Sequence, residues 1–424
     1  MDESCEKGKL RESDESSANL ASLSVIIRIV LIILLRGGFL LVQVGNIAVS
    51  NVNLIILHNI VEISWVTICC IIIGSTVGFT GGGGYWRWIV GDDDDYDKTA
   101  RERVLAVWQS VIVASGIFTN CIAGRMHTVG TLAIGIIFGG LLQPLIIHWG
   151  WSINGWMINN PLREANNSSG FIDTGGGALI HATGGVVGLV ACLILGRKVD
   201  ATTSGVDANV ASTFVGYFFI LIGLQSLTIS NLSEVYFTTR DVEIDLTIIN
   251  NLLSISMCAM VTVGLHFFLR QPFNQMTVMR CIQGMIAGAV VVSAGGSIYP
   301  PYVALTLGAI NGILFYFTIK FIAQCSFVED YCNTIAIHLV SGLFGALVVP
   351  FFNKADDEFN ILNSLLDFSW QIICLLSIIG PIILIMTAVF MSLGCCGLLR
   401  NRSEHLSHLR VAAALMATQN SHSR

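Results

Sequence analysis

The stretch Asp173-Thr-Gly-Gly-Gly-Ala-Leu-Ile-His181-Ala-Thr-Gly-Gly185-Val-Val-Gly188 returns later in the chain in the same frame. The second copy reads Asp330-Tyr-Cys-Asn-Thr-Ile-Ala-Ile-His338-Leu-Val-Ser-Gly342-Leu-Phe-Gly345. In each copy an acid precedes a histidine by two helical turns, and glycines follow the histidine at +4 and +7. Both histidines sit inside long apolar segments with almost no other charge. An ionisable group at membrane depth is costly and marks a functional site by default. Two in matching frames point to a site built by an internal repeat.

The composition sets that repeat in a membrane. The chain has 424 residues, 54% hydrophobic and only 12% charged, with a mean hydropathy of +0.73. A soluble protein of this length needs far more charge to cover its surface. Apolar runs of about 20 residues span a hydrocarbon core, so the fold class is an all-α polytopic membrane protein. Eleven transmembrane helices are expected near 21–47, 52–79, 102–123, 128–150, 172–196, 209–230, 247–269, 281–298, 302–324, 333–352 and 364–396. The third follows directly on a charged stretch from Lys98 to Arg103. The odd count puts the termini on opposite sides. Residues 1–20 form an N-terminal tail, 21–399 the membrane domain and 400–424 a C-terminal tail.

Loop charge orients the bundle. Arg125, Arg197, Lys198, Arg270, Arg280, Lys320, Arg400, Arg402 and Arg410 fall on one side. The Asp92–Asp95 run, Glu234, Asp241, Glu243, Asp245 and Asp356–Glu358 fall on the other. The basic side reads as cytoplasmic, which places the C-terminus inside and the N-terminus outside, in a plasma membrane. Sequons at Asn166, Asn167 and Asn231 lie on the expected outer face, as in a glycoprotein. The polar first residues carry no apolar core of a cleavable signal peptide. Most of the twelve cysteines, Cys69, Cys70, Cys121, Cys192, Cys258 and Cys374 among them, lie within apolar helices and read as packing residues. Cys395-Cys396 ends the last helix and reads either as two border cysteines or as an acylation site.

Asp173 opens helix five from the outer side and Asp330 opens helix ten from the inner side. Five helices separate them, so the two halves run inverted, with a five-plus-five repeat and a site near the midplane. Eight helical residues rise about 12 Å, which carries each histidine inward from a membrane border. Gly185, Gly188, Gly342 and Gly345 remove bulk and let a neighbouring backbone approach. His58, His148 and His266 lack the frame and read as hydrogen-bonded core residues. Metal or haem ligation is the other reading of paired imidazoles. It wants a second matched pair or a nearby cysteine or carboxylate cluster, so neither metal nor cofactor is expected. Nothing in the chain reads as a nucleophile, a catalytic acid or a nucleic-acid surface. The Gly81–Gly84 run lacks the strand–helix setting of a phosphate loop. An enzyme is not expected.

At these residues the chain resembles the ammonium transporter, methylammonium permease and Rhesus family. The likeness extends through Gly38-Phe-Leu-Leu-Val-Gln-Val-Gly45, Asn51-Val-Asn53, His58-Asn59, Pro144-Leu-Ile-Ile-His148-Trp-Gly-Trp151 and Gly196-Arg197-Lys198. It continues in Gln283-Gly-Met-Ile-Ala-Gly288, Ser293-Ala-Gly295 and Pro300. The resemblance implies a homotrimer of eleven-helix bundles with one pore per subunit. Trp151 would hold ammonium over its ring at an outer vestibule, a cation–π contact worth up to about 2 kcal/mol when partly desolvated. Asp173 would supply negative charge there, and by its position it also caps the start of helix five. His181 and His338 would be the twin histidines of the pore.

Several positions depart from the family pattern. Leu227 stands where the inner of two stacked phenylalanines is expected, and the outer falls near Ser110–Ile112, so Ile112 and Leu227 are the candidate gate. Gln43 replaces a glutamate, His58 a lysine, and Gly124 the glutamate of an Ala-Glu-Arg stretch. Arg36 is a charge inside the first helix, and the sequence names no partner for it. The leading function is passage of ammonium or ammonia through a narrow apolar pore. The alternative is a non-conducting ammonium sensor that kept the binding mouth.

Overall fold

With no water in a bilayer core, every backbone polar group must be paired within the protein, and helices do this within a single segment. The computed structural model describes residues 2–46, 52–78, 98–122, 124–152, 154–163, 170–197, 209–228, 244–352, 360–402 and 406, with side chains of 2–22, 98–103 and 228 excluded. Among these residues eleven helical segments are long and apolar enough to cross a membrane. They are α1 (Leu23–Asn46), α2 (Val52–Gly78), α3 (Val104–Ile122), α4 (Thr128–Ile158), α5 (Gly177–Leu195) and α6 (Val210–Leu227). The others are α7 (Ile244–Phe268), α8 (Gln275–Val292), α9 (Pro301–Gln324), α10 (Ile335–Phe352) and α11 (Ile361–Cys395). The protein is a multi-pass helical membrane protein.

The packing shows the inverted repeat. α1 lies along α6, the first helix of each half, while α3 packs on α5 and α8 on α10. The α1–α6 contact is backbone to backbone: a Cβ on Gly38 would come 2.6 Å from the Gly216 carbonyl oxygen, and one on Gly216 would come 2.7 Å from that of Gly38. Small residues allow this approach where lipid supplies no hydrophobic drive. The best-buried helix is α3, with Val111, Val113, Ala114, Ile117 and Cys121 fully enclosed. Lipid-facing residues such as Phe268, Leu384 and Met260 lie outside.

Several expected boundaries move for identifiable reasons. The eighth helix runs Gln275–Val292 instead of 281–298. Asn274 caps it, accepting from Met276 and forming a capping box with Thr277, so the helix starts a turn and a half earlier, with Arg280 inside it. It ends before the small residues Ala294, Gly295 and Gly296. The fifth helix starts at Gly177, not 172, because Asp173 precedes it as a cap. The first helix continues back to Asp2, into a stretch expected to be a tail. The sequons at Asn166, Asn167 and Asn231, the Asp92–Asp95 run, Lys198, Glu234, Asp241, Glu243, Asp356–Glu358, Gly81–Gly84 and Arg410 lie outside the described residues.

α11 straps the first half. Trp370 donates its indole N–H to the Met157 carbonyl at 3.0 Å. Gln371 donates to the Ile172 carbonyl at 2.7 Å and accepts from the Ile172 N–H at 3.1 Å. Asp367 pairs with Arg163 at 2.9 Å and accepts from Asn160 at 3.0 Å, both partners buried. The segment leading into Asp173 is thus held by a helix outside the repeat. Removing one partner of a buried pair leaves the other uncompensated, at about 3–5 kcal/mol. Asp367→Ala therefore lowers the thermal midpoint in detergent far more than Ser377→Ala, a change on the exposed face of the same helix.

Candidate functional site

Each histidine is placed by the acid eight residues before it. Asp173 accepts the backbone N–H groups of Gly177 at 2.7 Å, Ala178 at 2.9 Å and Leu179 at 2.7 Å. Asp330 accepts those of Ile335 at 2.7 Å and Cys332 at 3.3 Å. All but the Cys332 N–H, which lies in the turn itself, are donors that a helix start leaves unpaired, met here by an ionisable side chain. Burial pushes both carboxyls up to about 6, while the backbone donors pull the other way.

The chain turns sharply after each acid, and the two turns match. The third residue beyond Asp173 is Gly176, with φ of +83°, and the third beyond Asp330 is Asn333, with φ of +54°. Glycine and asparagine are the residues that tolerate this left-handed conformation best. Both histidines then lie on a wide π-type turn, Gly177–Ala182 and Ile335–Val340. Such bulges are rare and cluster at functional sites.

The two turns bring the imidazoles together. His181 Nδ1 and His338 Nδ1 are 3.1 Å apart. Their rings lie edge to edge, with centroids 5.1 Å apart and planes 17° from parallel. Both side chains are buried, and Phe39 lies against His338 at a centroid distance of 6.1 Å. The four frame glycines sit at the crossing: Gly185 meets Leu339, Gly188 meets Cys121, Gly342 meets Gly177 and Gly345 meets Val291, each too close for a Cβ.

A hydrogen bond between two Nδ1 atoms has a chemical consequence. One ring must carry the proton on Nδ1 and the other must accept it, so the two neutral rings are opposite tautomers. The donor ring then has a bare Nε2, and the acceptor ring an Nε2–H. The pair thus offers one acceptor and one donor, and they reverse when the shared proton crosses as the first ring gains a proton on Nε2 and the second loses its own.

Trp151 is buried and donates its indole N–H to the Asp173 backbone oxygen at 2.6 Å. The ring and the acid of the proposed mouth are therefore one unit. Thr174 and Gly175 donate backbone N–H groups to Ala294 and Ser293 at 3.0 and 2.8 Å, which ties this turn to the end of α8. Ile112 and Leu227 are both buried in the main apolar cluster.

Sequence reasoning missed the support of the second turn. Tyr217 donates to the Cys332 carbonyl at 2.9 Å, Gln283 donates to the Tyr217 hydroxyl at 2.8 Å, and Asn333 donates to Gln283 at 3.0 Å. A buried tyrosine and glutamine in apolar helices were the available signal. Arg36, for which the sequence named no partner, is paired with Glu62 of α2 and donates to the Ile112 carbonyl at 3.4 Å. Among the described residues no group of three or more His, Cys, Asp or Glu side chains is placed to hold a metal ion.

An inverted-repeat helical bundle closed around two facing imidazoles defines a class of membrane protein with a site at the repeat interface. The chain belongs to the ammonium transporter family: the model of the Ammonium Transporter Family matches residues 23–408. It is 25% identical over 361 residues to the ammonium transporter Amt1 of Methanocaldococcus jannaschii, covering 84% of this chain and 86% of that protein. It is 22% identical over 412 residues to the putative ammonium transporter 1 of Caenorhabditis elegans, covering 88% and 74%. Among solved structures, one titled Sensor Amt Protein superposes with a TM-score of 0.76 at 20% identity, covering 93% of this chain and 98% of that one. Mep2 of Saccharomyces cerevisiae superposes with a TM-score of 0.71 at 15% identity, covering 90% and 88%. These last two likenesses concern the fold.

The left-handed turns make a testable pair. A Cβ on Gly176 would meet the Ile180 side chain at 2.6 Å and carry a left-handed penalty of about 1–2 kcal/mol. Gly176→Ala is expected to lower the thermal midpoint clearly, whereas Asn333→Gly keeps its turn and changes it little. Equal effects would show that the turns do not constrain the site.

Proposed function

We propose that the protein carries ammonium or ammonia across the plasma membrane through a narrow apolar pore in each subunit of a homotrimer. In this reading residues 1–20 lie outside and residues 400–424 in the cytoplasm, as the basic loops require. Trp151 and Asp173 recruit the cation at the outer mouth, Ile112 and Leu227 form an aliphatic constriction, and His181 and His338 handle the proton. The observation that carries the reading is the Nδ1–Nδ1 contact of 3.1 Å between buried histidines.

The chemistry follows from solvation. A bare ammonium ion in an apolar passage loses its hydration at great cost, whereas neutral ammonia needs only a few hydrogen bonds. Ammonium gives its proton to the bare Nε2 of one ring. The shared Nδ1 proton crosses to the second ring, whose Nε2–H is released. One proton has then entered and one left, and ammonia moves on as a neutral molecule. Both rings end in the reversed tautomers, and they are reset when the second ring takes a proton on Nε2, the shared proton returns and the first ring gives up its Nε2 proton.

The second reading is an ammonium sensor that binds but does not conduct. The observation that favours it is that Ile112 and Leu227, the candidate gate positions, are aliphatic and buried in the apolar core.

Methylammonium uptake in cells lacking their own transporters separates the two. Wild type is expected to take up substrate, and His181→Ala to lose about 100-fold or more, in the range of a proton-transfer group. Trp151→Leu raises the half-saturating concentration about tenfold, within the worth of a cation–π contact. Surface expression without uptake would instead support the sensor, and undiminished uptake by His181→Ala would rule out the relay.

A pH profile tests the acid. With its carboxyl pushed up to about 6 by burial, Asp173 is charged above that pH and neutral below it. Uptake should therefore fall as the outside pH drops through this range. Asp173→Asn should show lower uptake at neutral pH and a flat profile. A profile unchanged in the variant would show that the charge of Asp173 takes no part in recruitment.

A further inference from the structure

A second polar site lies outside the histidine pair. Where α1, α2, α3 and the start of α4 meet, a cavity of about 30 Å³ is lined by residues including Gln43, His58, Asn59, Glu62, Thr119 and Gly124. Three sequence departures converge on it: Gln43 for glutamate, His58 for lysine and Gly124 for glutamate. Two of the expected side chains were charged acids and one a long cation. In their place stand an amide, an imidazole that meets Thr128 at 2.7 Å and no side chain at all.

Three buried polar atoms at this cavity lack a hydrogen-bond partner: Gln43 Nε2, Asn59 Oδ1 and Glu62 Oε1. Their side chains are 2%, 5% and 2% exposed. The other polar atoms of the same groups are used. Asn59 donates to Gln43 Oε1 at 2.9 Å and to the Ile55 carbonyl at 3.0 Å, and the second Glu62 oxygen pairs with Arg36. One donor and two acceptors are thus left, buried where an unpaired polar group is costly.

The polarity selects the occupant. Arg36 already balances the charge of Glu62, so a cation gains little and meets the Gln43 N–H. An anion would face two bare oxygens. A neutral molecule that accepts one hydrogen bond and donates at least two satisfies all three atoms. Room for a water needs about 10–15 Å³, so the cavity takes one or two molecules of that size.

We propose that this cavity is a second binding site, for a neutral hydride molecule, water or ammonia, held by Gln43, Asn59 and Glu62. The bound molecule completes the hydrogen bonding of the Arg36–Glu62 pair. Because Arg36 also donates to the Ile112 carbonyl, the site braces α3 beside the candidate gate. It does not depend on the histidine pair conducting.

Structures of the full chain in lipid nanodiscs, solved in ammonium-free buffer and in saturating ammonium, test the proposal. Density bonded to Gln43 Nε2 and Glu62 Oε1 is expected, and it should vanish in Gln43→Leu. Density in both buffers identifies water, and density only with ammonium identifies ammonia. A cavity without density in either, or Gln43 bonded directly to Glu62, would overturn the proposal. Hydroxyl-radical footprinting of wild type gives a check free of folding effects, for water as the occupant in ammonium-free buffer. Met126 lines the cavity and is buried. Where density appears without ammonium, Met126 should oxidise severalfold faster than Met157 and Met386, which are also buried but line no such cavity, and equal rates would refute a water site.

Discussion

The structure turns on a carboxylate placed just ahead of a helix start in a water-poor interior. Backbone N–H groups there have no solvent to satisfy them, and each left unpaired costs more than in a soluble protein. Asp173 takes three of them and Asp330 two. This bonding lets the chain leave its extended approach, make a left-handed turn and begin a helix already inside the bundle. Without that anchor neither wide turn has a fixed start, and neither histidine has a fixed depth. The same carboxylate carries potential charge, so one residue fixes the frame and colours the field at the mouth.

The consequence reaches the histidines through geometry. Because both turns are made alike from opposite borders, the two rings arrive edge to edge in nearly parallel planes, with the same nitrogen of each facing the other. A parallel repeat would bring both from one border, at equal depth and without this crossing. The inverted repeat thus yields a pair of like nitrogens, and like nitrogens force opposite tautomers. The pair is polar in one sense or the other at any moment, never symmetric. The site gets its direction from which ring holds the shared proton and which holds its proton on Nε2.

Much of this was legible in the chain because it is local. The Asp-x7-His frame, the glycines at +4 and +7 and the length of the apolar runs all lie within one segment. Inversion followed from counting helices between the two copies. The eighth helix was misplaced because Arg280 read as a loop charge, when in the structure it meets His266 and sits over Tyr316 within the packed bundle. The partner of Arg36 was illegible for a different reason. Glu62 lies on another helix, 26 residues away, and periodicity along one helix carries no information about which face of a second helix it meets. The Tyr217–Gln283–Asn333 chain joins two helices to the turn before α10 and was hidden in the same way.

The Arg36–Glu62 pair also explains why the departures at Gln43, His58 and Gly124 belong together. A full ion pair in the interior is costly unless its remaining hydrogen-bonding positions are met. Keeping the family's glutamates at 43 and 124 would crowd two more negative charges around Glu62, with one arginine to offset them. Replacing them by an amide and a glycine lowers the charge and leaves volume in their place. A lysine at 58 would then lack its counter-charge, and the smaller histidine bonds Thr128 instead. The three positions, on α1, α2 and just past the end of α3, line one cavity with Glu62. The cluster is held by a single ion pair and polar side chains. The pair and the cavity connect to the histidines through α1, where Arg36 holds the Ile112 carbonyl and Phe39 lies against His338.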